Sequence, residues 1–159
     1  MALIPVRYNP SQKRGHMTSG TRLKANETII PGTFVKPIND GQMSLHSGTT
    51  ASGSAAVLCY IAHKEVRVPE DSDASLDTLA SGDNMLVFEG PGGEFETTQF
   101  HSGITSSTVH GAQLGVSATG TICPIANAAD TTKEIGRFLQ YIANSGGNAP
   151  KVRFQWTKV

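Results

Sequence analysis

The chain has 159 residues, with thirteen Lys plus Arg balancing thirteen Asp plus Glu and 38% hydrophobic residues, which fits one body domain with a single core. No run of about 18 apolar residues occurs, and no apolar stretch of signal-peptide length follows the first charges; a membrane span and secretory export are therefore not indicated, and a soluble, cytosolically made protein is expected. Cys59 and Cys123 are too few and too far apart for a disulfide framework or a CxxC metal site.

Residues 1–26 carry Arg7, Lys13, Arg14, Arg22 and Lys24 and no acidic residue. Pro5, Pro10, Gly15 and Gly20 interrupt the stretch, and it has no sustained apolar period. Such a segment buries too little surface to offset the entropy of ordering itself. It reads as an extended basic arm, with a body over residues 27–159, and the five cations are its candidate partner-binding residues.

From Thr28 onward short β-branched and aromatic runs alternate with Gly, Pro, Asn and Asp, the pattern of strands joined by turns. Thr28 to Ile38 reads as two strand pieces around Pro31-Gly32. Asn39-Asp40-Gly41 turns the chain into Gln42 to His46, a first hairpin. Ser47 to Ser54 is small and polar, a surface loop. Ala55 to Ala62 (AAVLCYIA) reads as a continuous apolar strand in the core. Asp73 to Ala80 allows one or two helical turns at most. Asn84 to Glu89 and Glu94 to Phe100, joined by Gly90-Pro91-Gly92-Gly93, read as the clearest hairpin, with Phe95 inward and Glu94 and Glu96 toward solvent.

Gln113 to Ala118 and Thr121 to Ile125, around Thr119-Gly120, read as another hairpin. Glu134 to Ala143 (EIGRFLQYIA) satisfies helical spacing as well as strand, but Gly136 within it and the glycine-rich loop that follows favour strand. Lys151 to Lys158 alternates cleanly, with Val152, Phe154 and Trp156 on one face. The expected fold is all-β: an antiparallel β-barrel or sandwich of about eight to ten short strands with an extended N-terminal arm.

Charge is segregated along the chain. From Glu65 to Glu96 nine acidic residues meet one basic residue, Arg67, while from Lys133 to Lys158 five basic residues meet one acidic residue, Glu134. Such an order, basic then acidic then basic, suits a protein that holds another copy of itself or a larger protein surface.

Catalytic and metal chemistry find little support. His16, His46, His63, His101 and His110 show no HxH, HExxH or Cys/His pairing and read as surface or loop residues. There is no GxSxG elbow, no Walker spacing and no GxGxxG at a strand-to-helix turn. Asp71-Ser72-Asp73 lacks the central Gly and closing Glu of a calcium loop. The chain is read as a non-enzyme with no catalytic, metal or cofactor residues. Cys59 and Cys123 read as buried free thiols, although a bridge stays open if their strands are neighbours.

Three stretches resemble the β-rich decoration, or cement, proteins of tailed-bacteriophage heads: TIIPGTFVKPINDGQMSL, GVSATGTICPIANAADTTKEIGRFLQYI and KVRFQW. Pro31-Gly32-Thr33-Phe34-Val35 matches an early strand motif and Asp130 to Arg137 a late one, over roughly half of the chain by direct comparison. The resemblance implies a structural virion protein on the outer capsid surface, made in the host cytoplasm. It would clamp neighbouring capsomers, with the major capsid protein and sister subunits as partners, as a homo-oligomer, commonly a trimer. Alternatives are a tail, baseplate or head-fibre component and a single-stranded nucleic-acid-binding β-barrel. The acid-rich middle and zero net charge disfavour the latter. A carbohydrate module using Trp156 or Tyr141 is disfavoured because Trp156 shares its face with Val152 and Phe154.

Overall fold

The computed structural model describes residues 3–7, 13–15, 20–39, 41–47, 60–63, 78–89, 92–144 and 149–157. Among these the chain is all-β: twelve strands in two six-stranded sheets, with one 3-10 turn at Ile125–Asn127. The strands are β1 Leu3–Arg7, β2 Lys13–Arg14, β3 Lys24–Ala25, β4 Phe34–Asn39, β5 Gln42–Leu45, β6 Tyr60–His63, β7 Leu86–Glu89, β8 Glu94–Thr97, β9 Gln113–Val116, β10 Ile122–Pro124, β11 Gly136–Ile142 and β12 Lys151–Trp156. One sheet runs β1-β8-β12-β11-β9-β10 and the other β2-β7-β6-β4-β5-β3. All pairings between these strands are antiparallel except β3 with β5.

Side-chain alternation explains why both sheets belong to one core. The first sheet turns Phe95, Leu114, Val116, Phe138, Val152, Phe154 and Trp156 inward, and the second contributes Phe34, Ile61 and Phe88 to the same cluster. Phe34 stands edge-on to Trp156, ring centroids 5.8 Å apart, and Phe88 meets Phe95 at 5.0 Å. Aromatic pairs at such separations add to the stabilisation from burial alone.

The second sheet has no solvent face at its centre. Val35, Tyr60, Ala62 and Val87, each one residue from an inward-facing neighbour, pack into a second cluster with Leu23, Ala25, Ile29, Met43, Leu79 and Met85. A ribbon formed by residues 23–29 and 79–85 supplies this cover. It is laced by bonds from Ile29 N to Leu79 O at 2.9 Å, Ala25 N to Asp83 O at 3.0 Å and Met85 N to Leu23 O at 3.0 Å. Burial on both faces is why this region reads as apolar runs without alternation. Of the apolar run Ala55 to Ala62, only Tyr60, Ile61 and Ala62 lie within the described residues, and all three are buried.

The first sheet nearly closes on itself. The chain leaving β8 runs on to pair with β10 in parallel through Phe100 and Ile122, with His101 N donating to Ile122 O at 2.8 Å. Thus the outer side of β10 is capped rather than left as an open edge.

Several expectations hold. The β4–β5, β9–β10 and β11–β12 hairpins form as read, with Gly41 and Gly120 at positive φ in the first two turns, and EIGRFLQYIA contributes a strand. Val152, Phe154 and Trp156 are fully buried.

Three readings need correction. Asn84 to Glu89 and Glu94 to Phe100 are not a hairpin, because β7 and β8 lie in different sheets. Phe88 and Phe95 both face the shared core, and the edges a hairpin would pair are taken by β2 and β1. Glu96 is not solvent-facing; it is buried beside Arg153. The arm boundary at residue 26 falls inside the core, since Leu23 and Ala25 are each only 2% exposed, and residues 3–7 and 13–14 form the outer strands β1 and β2. The described outer pieces of the arm, residues 3–7 and 13–14, pair with strands of their own chain. Backbone pairing offset the entropy that its apolar content could not. The helical turns expected at Asp73 to Ala80 and the loop at Ser47 to Ser54 fall mostly outside the described residues.

Candidate interaction surface

The five arm cations sit on or beside three strands, β1 of the first sheet and β2 and β3 of the second. Arg7 ends β1 opposite Glu94 across a register shift, and Lys13 and Arg14 sit opposite Phe88 and Val87 of β7. Arg22 and Lys24 are exposed at the other edge of the second sheet, where Lys24 pairs with Gln42 and its N–H donates to Gly41 O at 2.7 Å. β2 and β3 end the strand order of that sheet, yet Leu23 N donates to Gly15 O at 2.9 Å and Lys24 bridges Asn84, so the two ends come back together beside β7.

The acidic stretch is likewise divided. Residues 64–77 lie outside the described part. Of the remainder, Glu94 is half-buried on β8, and Glu96 is paired across the strands with Arg153 of β12. Arg153 Nε donates to Glu96 Oε1 at 2.9 Å, and Nη2 of the same guanidinium contacts the same oxygen. A charge-assisted bond of this kind ties strand to strand, leaving Glu96 committed internally rather than free for a partner.

Sequence reasoning missed a second network. Glu134 precedes β11; its carboxylate takes Arg137 Nε at 2.8 Å and Gln113 Nε2 at 2.8 Å. Arg137 Nη1 donates to Gly111 O at 3.1 Å, while Gly111 N donates to Phe138 O at 2.7 Å. These bonds fasten the 101–112 loop to the sheet. Within the loop, Thr108 N donates to Thr105 O at 3.0 Å, Thr105 N to Thr108 Oγ1 at 2.9 Å and Gly103 N to His101 Nδ1 at 2.9 Å. The result is a braced polar loop holding Val109 outward at 75% exposure. The i,i+3 spacing of Glu134 and Arg137 hinted at their pair; nothing in the sequence marked Gly111 as its far end.

Among the described residues the histidines and cysteines form no cluster that could hold a metal. His46 is buried, against the surface reading, just after β5, where its backbone N–H extends the β4–β5 ladder by donating to Phe34 O at 2.8 Å. His101 braces the loop, His110 is exposed, and His16 and the side chain of His63 lie outside the described part. Cys123 is a free buried thiol, its Sγ 3.5 Å from Gly115 O, and burial pushes its pKa up to about 11. Cys59 lies outside the described residues. Asp130 is partly exposed; Thr132, through its hydroxyl at 2.6 Å and its N–H at 2.9 Å, holds the carboxyl below the usual carboxylate range.

Among the described residues no group of three or more His, Cys, Asp or Glu is placed to hold a metal, and no helix is long and apolar enough to cross a membrane. Trp156 is wholly buried and Tyr141 packs edge-on to Phe100 at 6.0 Å. What the described surface offers is therefore edges and loops. Neither models of protein families nor curated proteins match the chain.

Proposed function

We propose that this is a structural protein of a tailed-phage virion: a decoration protein that binds the outer surface of the assembled head and clamps neighbouring capsomers. The observation that carries the reading is the resemblance at Pro31 to Val35 and at Asp130 to Arg137. Both stretches serve as framework in the fold. The first delivers Phe34 to the shared core, and the second enters β11 through Gly136, whose position against the Gln155 carbonyl leaves no room for a side chain. A rigid sandwich with edge-bound strands and a braced loop supplies fixed contact points, the requirement of a clamp. Arg7, Lys13, Arg14, Arg22 and Lys24 are the partner-facing candidates. Single exposed cations contribute little, so repeated engagement by many copies would supply the affinity.

The test is addition of the purified chain to heads, lacking it, of the virus that encodes it. Co-sedimentation with heads, and heads that resist heating better when it is bound, are expected. Gold-labelled antibody in electron micrographs should mark the head surface. Label confined to tails would replace the reading with a tail component, and absence from the virion would end it.

A further inference from the structure

From Thr97 to Ala129 the chain runs 33 residues without a Lys, Arg, Asp or Glu, although 16% of the whole sequence is charged and about five such residues would be expected over that length. All of them lie within the described part. The two ends of the run come together in space. A side chain added at Gly103 would begin 3.1 Å from Asn127 Oδ1 and 3.2 Å from Pro124 Cγ, so the 101–112 loop packs against the turn that follows β10. Arg137 reaches the loop at Gly111 O, and there its charge is met by Glu134.

Val109 is the most open apolar side chain of the described surface. It is 75% exposed, against 42% or less for Val6, Ile30 and Ile38. Its position is fixed from below: Ile104, 2% exposed, roots the loop in the shared core, Ala112 N donates to Val109 O at 3.0 Å, and Phe138 N donates to Ala112 O at 2.9 Å. A loop already ordered loses little freedom when another surface covers it.

The lack of charge singles out the partner. Around a rotation axis each residue near the axis stands beside its own copy, so a charged side chain there faces its own like charge. A charge-free face carries no such penalty, and depletion of charge is what marks the centre of an interface. An acidic or basic partner would find nothing on this face to pair with.

We propose that the 101–112 loop, with the adjoining 125–129 turn, is the contact between copies of this chain, packed about a rotation axis at which Val109 of one copy meets Val109 of the next. The inference concerns the purified chain and stands whether or not the shell reading holds, so its test uses no heads.

Sedimentation velocity of the full chain is compared with Val109→Asp and with Ile38→Asp, which places the same charge at an exposed apolar site on β4 outside the run. Wild type and Ile38→Asp should assemble alike, and Val109→Asp should need about tenfold more protein or greater for half-assembly, with circular dichroism melts unchanged. Oxidised Val109→Cys should give a disulfide-linked dimer at about ten times the yield of Ile38→Cys, the native cysteines being common to both. Any one of three results overturns the proposal: a wild type that is monomeric at about 100 μM, an assembly that responds alike to the two Asp substitutions, or a Val109→Cys link no better than its control.

Discussion

Glu96 and Arg153 show how a single contact can mislead when only alternation is considered. Glu96 flanks Phe95 on β8 and reads as outward, yet it is 8% exposed because β12 lays Arg153 across it. Replacing Glu96 with Ala leaves a half-buried guanidinium without its acceptor, and a loss of about 1–3 kcal/mol in unfolding free energy is expected, discounted for the partial exposure of Arg153. Urea titration measures it, and a Glu96→Leu/Arg153→Leu double variant should lie closer to wild type than either single change. Cys123 gives a prediction in pH. Its folded pKa, about 11, lies above the ordinary value of 9.0, so the thiol favours folding fully below that ordinary value. This contribution falls away as pH rises through the interval between the two values. Thermal melts across that interval should decline more steeply for wild type than for Cys123→Ala, and a thiol reagent at pH 8 should leave Cys123 unmodified in the folded chain.

Among the elements, legibility followed where each strand's partners lie. The β11–β12 and β9–β10 hairpins pair near neighbours through short turns, and alternation with turn residues was enough to find them. The β7–β8 stretch carries equally good local signals and was read as a hairpin. Its partners lie eighty or more residues before β8 and about sixty residues after it, at distances local pattern does not sense. The same blindness hid the arm's pairing, because Pro and Gly content measures poor burial, whereas an edge strand is held by its backbone. At the interaction surface, the cations were visible by composition but their placement on strands of two sheets was not. The braced 101–112 loop was invisible because its fastening runs through backbone carbonyls. Arg137→Ala removes the bond to Gly111 O and the pair with Glu134. Faster hydrogen exchange in the loop is expected, with a stability change below about 1 kcal/mol because the guanidinium is partly exposed; amide exchange by NMR separates the two effects.

At the level of the whole molecule the two sheets share one set of aromatic contacts, so they should unfold together. Phe34 lies on the second sheet, touches Phe154 and Trp156 of the first, and donates its N–H to Gly120 O at 2.7 Å. Phe34→Ala should cost about 3–5 kcal/mol and lower a single transition seen alike by tryptophan fluorescence and far-ultraviolet circular dichroism. Separate transitions would mean that the sheets are independent. The pairing of Leu3 with Thr97 also has a meaning in time. During synthesis β1 leaves the ribosome first and must wait for the edge that receives it; for about ninety residues, at ordinary elongation rates, that is about 5–20 s. Throughout that interval the backbone donors and acceptors of Leu3–Arg7 have only water to bond, so the first sheet gains this outer strand only after β8 has been made.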